Sequence, residues 1–84
     1  MEPEVAFGRV LRDLRLGRRL SQEALALESG LQRNYISLLE RGKNSASIKT
    51  LFKLSPVLEL QVSELMEKVE AELARASATR RRSK

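Results

Sequence analysis

The 84-residue sequence predicts an all-α domain of five helices. Three observations predict it. Apolar residues recur at helical spacing in successive segments. β-branched residues are sparse and never alternate over a useful length. Serines and glycines stand where helices would begin and end.

The first helix is expected from about Glu4 to Arg18. Phe7, Val10, Leu11 and Leu14 follow the i, i+3, i+4, i+7 rule and share one face. Pro3 suits the entry and Glu4 the positive end of the dipole, with Arg18 and Arg19 at the negative end. The second helix starts after Ser21, a good N-cap, and ends near Ser29, where Gly30 supplies a left-handed residue. Ala24 holds the position where a glutamate would complete a capping box. The third helix runs from about Gln32 to Arg41, and Gly42 ends it in the same way. After the loop Lys43-Asn44-Ser45-Ala46, Ser47 caps a fourth helix over roughly Ile48 to Val57. Ile48, Leu51, Leu54 and Leu58 are expected inward. Pro56 lacks an N–H and should kink or shorten the last turn. The fifth helix is expected from about Val62 to Ala76, within a single domain over 1–78, leaving a basic disordered tail at 79–84.

A chain this short buries only about 60–65 % of its unfolded surface. It has no cysteine, so neither a disulfide nor a thiolate metal site reinforces it. It has no histidine, the usual general base and commonest metal ligand. With no convergent acid pair either, neither an enzyme nor a cofactor or metal is expected. No apolar run approaches the roughly 20 residues of a membrane span. Met1-Glu2-Pro3-Glu4 lacks the basic-then-apolar order of a signal peptide, so a cytoplasmic protein is expected. The net charge is +5 and unevenly spread: residues 5–53 hold ten Arg and Lys against four Asp and Glu. A phosphate-facing surface would show such a basic half, although solvated helical faces would show it too.

The stretch from Gln22 to Arg41 carries the function. Two short helices meeting steeply across a three- or four-residue turn need particular residues. Ala26 must be small, because the following helix passes close to it. Gly30 must take a positive φ, where a Cβ is strained. Ile36 and Leu39 must be apolar to lock the second helix onto the first, and Leu25 and Leu31 complete the small core. The joint spacing of Ala26, Gly30, Ile36 and Leu39 is that of a helix-turn-helix, with an ordinary helical hairpin in a non-DNA-binding bundle as the competing assignment.

On those residues the chain resembles the Cro and phage-repressor (XRE) type of helix-turn-helix family, over about Phe7 to Met66. The pattern reads Leu20-Ser21-Gln22-Glu23, Leu25-Ala26, Gly30-Leu31, Tyr35-Ile36-Ser37, Glu40-Arg41-Gly42-Lys43 and Thr50-Leu51. The resemblance implies a five-helix, phage-repressor-like domain that binds operator DNA as a dimer. Ala46 stands where the family often has proline, and Ser55-Pro56 where it often has alanine. Arg33-Asn34-Tyr35-Ile36-Ser37 followed by Glu40-Arg41-Gly42 is most similar to the small controller proteins of restriction–modification systems. Thr50-Leu51-Phe52-Lys53-Leu54 is also similar to antitoxin-type repressors.

Ile36 and Leu39 face inward, so Gln32, Arg33, Asn34, Ser37 and Arg41 face out. The N-terminal part of such a helix enters the major groove. Arg33 is the foremost base reader, since a guanidinium can bond guanine O6 and N7 together; Asn34, Ser37 and Gln32 follow. Gln22 is a phosphate candidate, because the resemblance places that contact at its position. Lys43, Asn44 and Arg41 are further phosphate candidates, and Arg18 and Arg19 weaker ones. Tyr35 either touches the DNA backbone with its hydroxyl or only covers the core. Glu40 points back, since a carboxylate facing phosphates is repelled, and the resemblance pairs it with Arg15.

Two heads about 34–36 Å apart would read a two-fold site. Leu65 serves the monomer's own core. Val62, Met66, Val69 and Leu73 form a second stripe, joined by Phe52, and a lone monomer would not need so much apolar surface. Packing of part of that stripe against the first helix is the competing assignment. The cluster Arg80–Lys84 could add non-specific phosphate contacts. The expected function is a regulator of a palindromic operator, with repression and activation both open and activation requiring RNA polymerase. Alternatives are an antitoxin-type autorepressor and a protein-interaction module of the same fold. The outward Arg33, Asn34 and Ser37 argue against the last, whose face should be more apolar.

Overall fold

The computed structural model describes residues 1–82. It contains α1 (Pro3–Gly17), α2 (Gln22–Ser29), α3 (Arg33–Glu40), α4 (Ile48–Val57) and α5 (Val62–Arg82). Among the described residues there is no strand. α1 packs on α3 and α5, α2 on α3 and α4, and α4 on α5. The centre is made by Leu11, Leu25, Ile36, Leu39, Leu54 and Leu65, all fully buried. Each such side chain contributes about 1.5–3 kcal/mol when removed from water.

The caps follow the sequence. Ser21 Oγ accepts from the Ala24 N–H at 2.9 Å, and Ser47 Oγ from the Thr50 N–H at 3.1 Å. Gly30 and Gly42 close α2 and α3 at φ 74 and 70. α1 and α4 close differently, on left-handed residues that carry side chains, Arg19 and Glu59, both at φ 58. Glu59 is held by a two-pronged ion pair with Arg18, at 2.9 and 3.0 Å.

Gly8 makes the closest approach. A Cβ there would meet the Leu39 carbonyl oxygen and stand 2.7 Å from that of Glu40. Only a glycine lets α1 lie against the end of α3.

Three expectations change. Ile48 is not inward but 74 % exposed. Six residues separate it from the buried Leu54, and six helical steps of 100° leave it about 120° off that face; Thr50 and Ser55 fill the buried stripe instead. Val69 is 3 % exposed, so it belongs to the monomer core with Leu65 and not to a free second stripe. It packs inward because α1 lies along α5 and supplies Phe7 and Val10 to the same core. Finally, α5 continues past Ala76 to Arg82, since no glycine or proline interrupts a run rich in good helix formers. Of the tail expected at 79–84, residues 83 and 84 lie outside the described residues. α4 ends at Val57 as expected, one residue after Pro56.

Candidate nucleic-acid interface

The reading head is built from the turn outward. The N–H groups of Gly30 and Leu31 both reach the Ala26 carbonyl, which closes α2 within one residue. Ser29 Oγ, buried beneath the turn, donates to the same carbonyl at 3.3 Å. Ala26 is 4 % exposed, and Ile36 and Leu39 are fully buried, so α3 is seated by its apolar face. Leu25 is fully buried, with Leu31 packed at the edge of the core.

That seating turns Gln32, Arg33 and Asn34 to solvent at the start of α3, with Ser37 half-buried behind them. Gln32 is the N-cap of α3 but makes no side-chain cap bond, so its amide is not committed to the helix. Arg41 is exposed at the other end and turns its Nε toward the Ser37 carbonyl at 3.4 Å. Lys43 and Asn44 are exposed just beyond.

The far end of α3 is fixed by a buried ionic network. Arg15 donates from Nε to Glu40 Oε2 at 2.6 Å and from Nη2 to Glu40 Oε1 at 3.0 Å. Its Nη1 donates to the Leu20 carbonyl at 2.8 Å, tying α1 to the entry of α2. The hydrogen bond to Glu40 raises the Arg15 pKa above its ordinary value, against the opposing effect of burial. Glu40 Oε1 also accepts from Gln22 Nε2 at 3.1 Å. Gln22 therefore braces the recognition helix, with one amide hydrogen already committed. Among the described residues, no buried side-chain nitrogen or oxygen lacks a partner.

Of the two roles the sequence left open for Tyr35 on α3, the structure shows the covering of the core. Its ring packs against the core, and its hydroxyl lies 3.2 Å from Thr50 Oγ1 and 3.5 Å from the Ser45 carbonyl. Ser47 Oγ donates to Thr50 Oγ1 at 2.9 Å, so the hydroxyl cluster links α3 to the cap of α4. Sequence reasoning missed Gly8, Ser29 and Thr50. Thr50 alone left a signal, standing three residues after the predicted cap Ser47.

A separate apolar face lies at the α4–α5 corner. Phe52 is 63 % exposed beside Ile48, with Val62 and Met66 half-buried. A shallow hollow there is lined by Phe52, Pro56, Leu60 and Val62, among others. Leu73 is half-buried further along α5. No helix among the described residues is long and apolar enough to cross a membrane.

A family model described as helix-turn-helix matches residues 11–65. The control protein C.BamHI of Bacillus amyloliquefaciens is 40% identical over 62 residues, 73% of this chain and 76% of that protein. The control protein C.MunI of a Mycoplasma species is 39% identical over 70 residues, covering 82% of this chain and 95% of its own. Among solved structures, the restriction-modification controller protein C.AhdI of Aeromonas hydrophila superposes with a TM-score of 0.71 at 44% identity. That match covers 74% of this chain and 94% of the other.

Proposed function

The chain belongs to the helix-turn-helix family of DNA-binding transcription regulators, and we propose that it acts as a homodimer on a palindromic operator, as a restriction–modification controller. The observation that carries this reading is the asymmetry of α3. Its rear is locked by Glu40 to Arg15 and Gln22, while Arg33 and Asn34 stand free and solvated at its front. A helix so held can present its first turn to base edges in the major groove.

In this reading Arg33 forks onto a guanine, and Asn34, Ser37 and Gln32 read neighbouring edges. Arg41, Lys43 and Asn44 hold phosphates and set the register. Gln22 spends its remaining amide hydrogen on a phosphate, and the Tyr35 hydroxyl lies at the edge of the same surface. The α4–α5 corner, with Phe52, Ile48, Val62 and Met66, supports the dimer, and Leu73 lies at its margin. The names of the relatives support the controller role. Action on DNA in the cytoplasm is part of this reading.

Selection from random duplex DNA at fixed salt tests the proposal, with Arg33→Ala in parallel. The wild type should enrich a palindrome, and the variant should lose a guanine preference worth about 1–3 kcal/mol. Enrichment of no sequence by the wild type would refute operator recognition.

A further inference from the structure

We propose that Arg19 is a phosphate anchor of the DNA interface, kept in a backbone conformation that disfavours any side chain. This inference rests on the DNA-binding reading above and adds a residue to it.

Four helices end on a left-handed residue. Two of these are glycines, Gly30 and Gly42, and two are charged, Arg19 and Glu59. In the left-handed region a Cβ crowds the following carbonyl oxygen, so glycine is the relaxed choice. Glu59 has an internal reason to keep its side chain, the two-pronged bond to Arg18. Arg19 has none. It is exposed, and no hydrogen bond or ion pair among the described residues uses its guanidinium. A glycine is present two residues earlier, where it is not needed. Gly17 closes α1 with nothing within 4 Å of a Cβ and without a positive φ. The chain thus carries a strained arginine next to an idle glycine. Backbone strain of this kind persists where function holds it.

The position of Arg19 says which function. Its own N–H bonds the Leu16 carbonyl at 2.9 Å, and the next N–H, of Leu20, bonds the Arg15 carbonyl at 3.1 Å. The Leu20 carbonyl accepts from the Arg15 guanidinium, which in turn grips Glu40 at the end of α3. Two short steps of backbone and one buried ion pair therefore fix Arg19 relative to the recognition helix. A cation whose backbone is fixed at the entry of α2, three residues before the phosphate candidate Gln22, exposed, with no internal partner and in the basic half of the chain, matches a fixed anion. On duplex DNA that anion is a backbone phosphate. Such a contact carries no sequence information.

The test compares wild type, Arg19→Gly and Arg19→Lys on the selected operator and on a scrambled duplex of equal length, across a salt series. Arg19→Gly should raise the thermal midpoint by roughly 2–5 °C, by relieving the backbone. It should weaken binding to both duplexes by the same factor, about two- to five-fold per arginine. The slope of log K against log salt should shrink by about 0.9 for each chain bound. Arg19→Lys should keep the wild-type slope without the gain in midpoint. Stabilisation together with weaker binding is a pattern that a structural role does not produce. Wild-type affinity and slope in Arg19→Gly, beside operator-selective binding by the wild type, would overturn this inference alone. A lowered midpoint in Arg19→Gly would overturn it too, by making Arg19 structural. Absence of any salt-dependent DNA binding by the wild type would overturn the DNA-binding reading, and Arg19's role with it.

Discussion

Replacing Gly8 by alanine tests whether α1 sets the seat of α3. The new Cβ would stand 2.7 Å from the Glu40 carbonyl oxygen, where ordinary contact begins at 3.4 Å, and would press harder still on Leu39. The two helices must therefore part by at least about 0.7 Å. Both obstructing groups are backbone, so no side chain can swing aside. Overpacking costs roughly 1–3 kcal/mol, occasionally more, and alanine's better helix propensity offsets about 1 kcal/mol. Separation also loosens the 2.6 Å bond between Arg15 and Glu40, which places the cost at the upper end. The expected net loss is about 2 kcal/mol, a fall in thermal midpoint of roughly 8–16 °C for a domain of this size. Gly17→Ala, with open space at its Cβ, is the control and should leave stability unchanged or raised. Thermal and urea unfolding followed by far-ultraviolet circular dichroism gives both values. A Gly8→Ala protein as stable as wild type would refute the close seating of α1 on α3.

Three further perturbations have defined outcomes. Arg15→Met strands the Glu40 carboxylate, whose side chain is 3 % exposed, and should cost about 3–5 kcal/mol by urea unfolding; the double variant Arg15→Met, Glu40→Met should regain most of it, and equal losses would disprove a coupled pair. If the proposed dimer uses the α4–α5 corner, Ile48→Ser with Phe52→Ser should raise its dissociation constant about ten-fold or more by analytical ultracentrifugation while leaving helix content intact, and an unchanged association state would remove that corner as the proposed dimer face. The Arg75 guanidinium first, and then Arg9, hold the Glu72 carboxyl below its ordinary 4.5. Its contribution is therefore complete above about pH 4.5 and lost as pH falls through the lower folded value. At low salt Glu72→Gln should flatten that part of the acid-side decline in thermal midpoint, and an identical decline would show that the Glu72 ion pairs with Arg75 and Arg9 are idle.

The elements were legible because each helix carries its own punctuation. Ser21, Gly30, Gly42 and Ser47 mark boundaries by local chemistry that needs no tertiary knowledge. The inward set of the helix-turn-helix was legible for a related reason: Ala26, Ile36 and Leu39 are constrained by one neighbouring helix at a fixed angle. The pairing of Arg15 with Glu40 came only from family resemblance, since 25 residues separate the two. Gly8 was invisible because its need arises from a helix that arrives much later in the chain. Ile48 was misplaced because three-residue steps drift round a helix, and the polar Thr50 gave no hydrophobic signal of its burial. The α4–α5 corner was only half legible: Phe52 was named, but the share of α5 that α1 would claim could not be counted from α5 alone.

The clamped rear and open front of α3 divide the labour of evolutionary change. Substitutions at Gln32, Arg33 and Asn34 alter no buried contact and break no internal bond, so most of them should leave the fold untouched. A regulator built this way can drift to a new operator in single steps without passing through an unfolded intermediate. Two copies descended from one ancestor could then part company within a cell, each answering to its own site, while Glu40, Arg15 and Gly8 stayed as they are.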